Sequence, residues 1–385
     1  MESKKEWLVR KLIKHRINKN SKDLVKQIAL HSARVDVSLN PQIVAAYKEK
    51  WGRIFKGDIN TDWLKWYTAI SGIQSADYIP ENVFYGIVEP IINNSRFTVA
   101  YSDKNFYDLV YPKDLFPKTL VRNMDGLYYD GDYQPLHLGD NEKLFNVLSA
   151  YDRVFVKPAT EAGGGREVEL FAQKERKFVN KEGRELTLEL LEKIYKISFI
   201  IQTPLTQHPW LASFNPSSVN TVRVLTYRSP VTQQVNILQT VFRVGAKDQF
   251  LDNSKAGGYS IGMNNTGKLN KFATRKDGSK YDKVNDVSLA GNEFTIPYFD
   301  KIVAASKMIA GKNIHHLMLA MDMSIDEQGN IRCIEINNRS NEINFHQLNN
   351  GPLFGEFTDE VIAYCEKHTE NLYKEFIITT IPFVP

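Results

Sequence analysis

Two carboxylates and an amide fall at matching positions near the end of the chain, in MLAMDMSIDEQGNIRCIEINN. The segment reads as two antiparallel strands joined by a turn around Asp326 to Gly329. Side chains alternate along a strand, so Cys333, Glu335 and Asn337 share one face while Arg332, Ile334 and Ile336 share the other. Glu335 and Asn337 then point the same way, about 7 Å apart. Pairing of Ser324 near Ile331 places Asp322 opposite Cys333 and diagonal to Glu335, within reach of the same point. An oxygen-only set of this kind suits Mg²⁺, which takes one or two carboxylates and completes its shell with water and nucleotide phosphates. A surface hairpin with a wet polar face has the same pattern, but burying an unpartnered carboxylate beside Ile334 and Ile336 would be costly, which favours the metal.

Three further segments carry reactive or anion-binding side chains. In VFVKPATEAGGGREVELF, Lys157 ends a strand, and Gly163, Gly164 and Gly165 form a turn whose backbone N–H groups can close over phosphate oxygens, with Arg166 adding charge. A plain glycine-rich hairpin is the competing reading, and neither a P-loop nor a dinucleotide fingerprint is present. In ISFIIQTPLTQHPWLASFNPSSVNTVRVLTYR, an apolar strand ends in Gln202 before Pro204, a hinge able to offer backbone groups to an adenine edge. Arg223 lies in mid-strand among Val222, Val224 and Leu225, where a guanidinium needs an anion, either a ligand or a buried Asp or Glu. In FRVGAKDQFLDNSKAGGYS, Arg243, Asp252, Asn253, Gly257 and Gly258 stand between two strand-like runs; Asn253 could bind metal or substrate, and a turn is the plain alternative.

The elements that must hold these residues form an α+β pattern. Residues 1–95 read as helical, through Trp7, Leu8, Leu12, Ile13 and Ile17 and again from Trp63 to Ile73. From about Phe97 the texture turns to strand-like runs: FTVAY, RVFVKP, EVELF, FIIQT, TVRVLTY, VNILQTVFRV, MLAMDMSI and IRCIEIN. Helical stretches intervene at Leu186 to Lys196, Asp300 to Ile309 and Thr358 to Phe376. The expected division is 1–95, 96–203 and 204–385, and 385 residues suffice for two to three domains.

With 49 basic against 45 acidic residues, the net charge of +4 does not predict nucleic-acid binding. The basic excess is local, from Lys4 to Lys26. A basic helix there is either a solvated face or a device for holding an anionic polymer or lipid-linked precursor at the inner membrane face. Two distant cysteines, Cys333 and Cys365, suggest no disulfide framework and fit a reducing compartment. With neither a signal peptide nor a membrane span in the sequence, the expected location is cytoplasmic.

In this order, the strand-Lys-Pro segment, the glycine loop, QHPWLASFNPSSVNTVRVLT, the DN…GG segment and the D…EIN hairpin resemble the ATP-grasp superfamily. More narrowly they resemble the sugar-transfer-associated ATP-grasp proteins of polysaccharide biosynthesis, over about residues 97–385. The resemblance implies an ATP-grasp fold, two α+β subdomains gripping ATP, here preceded by a helical region. It implies ATP and Mg²⁺ as cofactors. Lys157 and, earlier in the chain, Lys104 match the nucleotide-phosphate lysines; Gly163, Gly164, Gly165 and Arg166 the loop over the triphosphate; Gln202 the hinge at adenine. Arg223 and Arg243 would contact phosphate or an acyl phosphate, Asn253 would face the nucleotide, and Asp322, Glu335 and Asn337 match the Mg²⁺ ligands. Gln202 replaces a commonly acidic residue. NNRSN follows Glu335 in place of a Pro-Gly turn, which suggests a different acceptor pocket with Arg339 reading an anion.

The implied reaction is carboxylate–amine ligation through an acyl phosphate. The implied substrates are a sugar acid, such as a uronic acid of a capsular or surface polysaccharide, and an amino acid or other amine. An amino-acid or peptide ligase is the nearest alternative. A kinase that leaves phosphate on its product, or a non-catalytic nucleotide-binding partner of a glycosyltransferase system, are the rivals from other classes. Peripheral association with membrane-bound polysaccharide machinery is a further expectation.

Overall fold

The computed structural model describes residues 11, 19, 21–55, 57–160, 168–247 and 257–372. The sequence-predicted residues Gly163, Gly164, Gly165, Arg166, Asp252 and Asn253, and most of the basic stretch before residue 21, lie outside these.

The amino-terminal region is helical: 21–32, Pro41–Gly52, Asp62–Ser71, and a composite of Glu81–Val83, a π-helical turn Phe84–Val88 and Glu89–Ile92. Local chemistry sets these boundaries. Asn40 caps the second helix by accepting from the Gln42 N–H, with Pro41 in the first turn, where its missing donor costs nothing. Trp51, Trp63, Trp66, Tyr47, Tyr67 and Tyr78 are all fully buried.

A six-stranded antiparallel sheet follows, built from β1 (Thr119–Met124), β2 (Leu127–Asp130), β3 (Arg153–Pro158), β4 (Glu169–Lys174), β5 (Lys177–Val179) and β6 (Ser198–Gln202), in the order β2-β1-β6-β3-β4-β5. Helices Asn141–Leu148 and Leu188–Tyr195 begin on the side-chain caps Asp140 and Thr187 and bury Leu144, Leu148 and Leu191 against it.

The second sheet comprises β7 (Thr221–Arg228), β8 (Val235–Val244), β9 (Tyr259–Met263), β10 (Leu269–Thr274), β11 (Lys280–Tyr281), β14 (Met318–Ile325) and β15 (Ile331–Asn337). A small separate hairpin joins β12 (Lys283–Val284) to β13 (Val287–Ser288). The sheet order is β11-β10-β9-β8-β7-β14-β15. Alternation along its strands serves two cores. Val222, Val224, Leu319, Met321 and Met323 pack with helix Phe299–Lys312, whereas Leu225, Tyr227, Met318 and Ala320 share a core with the helical amino-terminal region. Helices Asn344–Asn350 and Thr358–Lys367 close that second core through Leu348, Val361 and Ile362. Among the described residues, no helix is long and apolar enough to cross a membrane.

Two expectations need correction. FTVAY is not a strand: a 3-10 turn at Ser95–Phe97 leads into helix Thr98–Ser102, because Asn94 accepts from the Arg96 N–H and its cap outweighs the β propensity of Thr98 and Val99. The β14–β15 register also differs. Ile325 pairs with Ile331, Ser324 with Arg332 and Met323 with Cys333, but a bulge at Ile334 then brings Asp322 opposite Glu335 instead of Cys333. The turn itself forms as expected. Asp326 accepts from the N–H groups of Gln328 and Asn330, and Gly329 takes the left-handed backbone (φ 82°) that glycine adopts without penalty.

Candidate functional site

Three strand pairings place the charged residues in one row. Glu335 on β15 faces Asp322 on β14; Asp322 faces Arg223 on β7; Arg223 faces Val241 on β8, two residues from Arg243 on the same face. The register alone therefore puts acid, acid, base and base side by side.

Asp322 is gripped from two strands. Its oxygens accept from Arg223 Nε at 2.6 Å and Nη2 at 2.5 Å, and from Arg243 Nη1 at 3.3 and 3.2 Å. Burial opposes ionisation of Asp322, but the two guanidinium groups outweigh it and hold its carboxyl well below the usual carboxylate range. Of the two partners the sequence allowed for Arg223, the structure supplies the buried aspartate. A fork-on-fork pair of this kind is strong and directional.

Glu335 is balanced separately, by Lys104 Nζ at 3.0 Å from Oε1. Burial again opposes ionisation, and Lys104 overcomes it, so the Glu335 carboxyl is also depressed. Lys104 arrives on the connection between the helical region and the first sheet, where its backbone N–H donates to Ala159 O at 2.8 Å, next to the end of β3. Lys157 comes from that strand. Burial, then the charge of Lys104, pull its ammonium down to about 7, while Glu335 acts in the opposite direction. The first sheet thus presents Lys157 toward the Lys104–Glu335 end of the row.

The remaining predicted residues are placed as follows. Gln202 lies at the end of β6 between Thr119 and Phe155, and its Nε2 donates to Pro117 O at 3.2 Å and Thr119 Oγ1 at 3.1 Å, so its side chain is turned into the sheet. Asn337 sits opposite Ala320, two strand positions beyond the Asp322–Glu335 pair, with a buried Nδ2 that has no hydrogen-bond partner. Among the described residues no three His, Cys, Asp or Glu side chains converge as a metal-holding group. The oxygen set is instead two facing carboxylates flanked by an amide, matched by four cationic groups. That surplus of positive charge fits a metal carried in on anionic phosphates.

Sequence reasoning missed two neighbours. Glu342 stands 4.0 Å from Arg223 Nη1. His346 is fully buried with both ring nitrogens unpartnered, and burial together with Arg223 and Arg243 keeps the imidazole neutral. Phe345 beside it lies 5.8 and 6.0 Å below the guanidinium carbons of Arg223 and Arg243. The segment NEINFHQLNN carries no local signal for this; only its tertiary position brings it to the row.

A family model described as sugar-transfer associated ATP-grasp matches residues 92–361. No curated protein matches the chain. Among solved structures, it is similar to an ADP complex of N5-carboxyaminoimidazole ribonucleotide synthetase (13% identity, 64% of this chain and 46% of that one, TM-score 0.35). It is also similar to the ATP-grasp ligase PsnB with minimal precursor, Mg and ADP (14%, 71% and 62%, 0.38). A third is D-alanine–D-alanine ligase from Bacillus anthracis (11%, 72% and 69%, 0.36). The chain spans less than two thirds of the length of the first two, and likenesses this distant say nothing of reaction or substrate.

Proposed function

This chain belongs to the sugar-transfer associated ATP-grasp family, and from that premise we propose that it is an ATP-dependent carboxylate–amine ligase working through an acyl phosphate, with a sugar acid as carboxylate donor. What supports this reading is one arrangement: a row of Glu335, Asp322, Arg223 and Arg243 on one sheet, with Lys104 and Lys157 closing its acidic end.

A carboxylate cannot be attacked by an amine until its oxygen becomes a leaving group, and transfer of the γ-phosphoryl group makes it one. The protein's work is then electrostatic and positional. Lys157 and Lys104 would neutralise the phosphates of ATP. Arg223 and Arg243 would orient the carboxylate and hold the acyl phosphate, and in doing so would loosen their grip on Asp322. Asp322, Glu335 and Asn337 would hold Mg²⁺, which supplies charge neutralisation between the phosphate oxygens. Gly163, Gly164, Gly165 and Arg166 are proposed as the cover that keeps water from the intermediate, with Gln202 and Asn253 toward the nucleoside. In this proposal the subdomains are 96–203 and 204–385, and the two buried thiols, Cys333 and Cys365, suit a cytosolic setting.

The test is ADP release measured over sugar acids crossed with amines. An acid-dependent release that requires the amine is expected, and Glu335→Gln and Lys157→Ala should each lower it by about 100-fold or more. Release that depends on the acid and ignores the amine would instead establish a kinase. No release with any pair, despite nucleotide binding, would leave the non-catalytic partner as the answer.

A further inference from the structure

The charged row and the helical amino-terminal region occupy the same face of the second sheet. Arg223 is followed two and four residues later by Leu225 and Tyr227, and Asp322 is preceded by Ala320 and Met318; all four apolar side chains lie in the core shared with the helices. Between row and helices runs the segment Asn338–Glu342, which leaves β15 directly after Asn337.

That segment is tethered to the helical region at both ends. Asn93 Nδ2 donates to Asn338 O at 2.7 Å and to Met318 O at 2.8 Å, while its Oδ1 accepts from Met318 N at 3.0 Å. At the far end Glu89 Oε1 accepts from Asn341 N at 2.9 Å and Nδ2 at 3.2 Å, and the Tyr85 hydroxyl donates to Asn341 O at 3.1 Å. Between these anchors Ser340 is held in left-handed backbone (φ 54°), a conformation that non-glycine residues keep only when their surroundings fix it.

Glu89 is only 4% exposed. A carboxylate in a core needs hydrogen-bond donors, and the two N–H groups of Asn341 are among those that Glu89 has. Tyr85 lies within the π-helical turn and Glu89 directly follows it, and such a distortion concentrates at functional sites. Directly after this tethered stretch, Glu342 lies 4.0 Å from Arg223.

We infer that the helical region forms a wall of the amine pocket, and that Glu89 is a positioning residue which, by holding Asn341, sets Glu342 where an incoming ammonium meets the acyl group oriented by Arg223. The inference rests on the ligase reading for the identity of the ligand, but not for the tether itself.

Two measurements on the full chain test it. By hydrogen exchange, Glu89→Ala should speed the amides of 338–343 by about tenfold while leaving β14 and β15 protected. Unchanged exchange there, or equal acceleration through both strands, overturns the tether. By steady-state kinetics with the acid–amine pair giving the most ADP, Glu89→Ala should raise the amine KM by about tenfold and leave the ATP KM within about twofold. Glu89→Gln, whose amide oxygen can still accept from Asn341 N, should stay within about threefold of the unsubstituted protein in both. A rise shared by both KM values, or an unmoved amine KM, overturns the role in the pocket. Should Glu89→Ala fail to fold, Tyr85→Phe removes one tether without disturbing the buried charge, and the same outcomes apply at smaller size. If no pair releases ADP, the ligase reading falls, and the exchange comparison alone decides whether Glu89 holds the segment.

Discussion

Two lysines stand at the acidic end of the row, and Lys104, which pairs with Glu335, weighs on the charge of Lys157. Lys157 is lowered to about 7 by burial and by Lys104. Because the folded pKa lies below the ordinary lysine value of 10.5, the unfolded chain binds more protons between these two values, and this group's contribution to stability rises with pH across that window. Phosphate oxygens favour the charged form. Binding of MgADP at pH 8 should therefore take up about one proton, read from calorimetric heats in buffers of different ionisation enthalpy, and Lys157→Met should abolish the uptake. Equal heats in all buffers for the unsubstituted protein would mean that Lys157 does not face the phosphates. At this scale much was legible: Lys157, Arg223, Asp322 and Glu335 announce themselves because charge in an apolar strand demands a partner. The partners themselves were less so. Asp322 is held by arginines and Glu335 by Lys104, pairings set by neighbouring strands that the linear order leaves open. Glu342 and His346 were invisible because nothing local distinguishes them from an amide-rich turn.

Strand by strand, apolar runs such as RVFVKP and VNILQTVFRV coincide with β3 and β8 from end to end, since their composition leaves few other options. β1 escaped notice although it lies inside the first sheet, because Arg122 and Asn123 interrupt its apolar pattern. Arg122 is nonetheless fully buried, bonded to Asp108 and stacked 4.1 Å from the Tyr133 ring centre. The bulge at Ile334 likewise has no signature, yet it decides which residue faces Asp322. A different element fixes the other flank of the row. Helix Asn344–Asn350 lies so close to β9 that a Cβ on Gly262 would come within 2.2 Å of Asn350 Oδ1 and 2.9 Å of Asn349 Cβ. Gly262→Ala should therefore push this helix, with Phe345 and His346, away from the arginines at a cost of about 1–3 kcal/mol, measured from the urea midpoint. An unshifted midpoint would show that Asn350 can step aside freely.

At the level of the whole molecule, the helical region is not an appendage. Its aromatic side chains and the face of β7 and β14 make one core, so a chain beginning at Thr98 would expose Leu225, Tyr227, Met318 and Ala320 as a contiguous apolar patch. Such a truncated protein is expected to aggregate or to lose near-ultraviolet circular dichroism; a soluble, cooperatively unfolding product would show the two sheets to be self-sufficient. The helical character of this region could be read from its periodicity. Its docking could not, because the contacts that matter join Ile79, Glu89 and Asn93 to Gln347, Asn341 and Met318, more than two hundred residues away.

That long-range closure bears on how the protein is made. Trp51, Trp63 and Trp66 emerge from the ribosome about 300 residues before Leu348, Phe354 and Val361, with which they share a core, an interval of roughly 15–60 s at ordinary elongation rates. For that time the nascent chain carries an aromatic surface with no cover, which makes it a client for holding chaperones until its closing helix has left the exit tunnel.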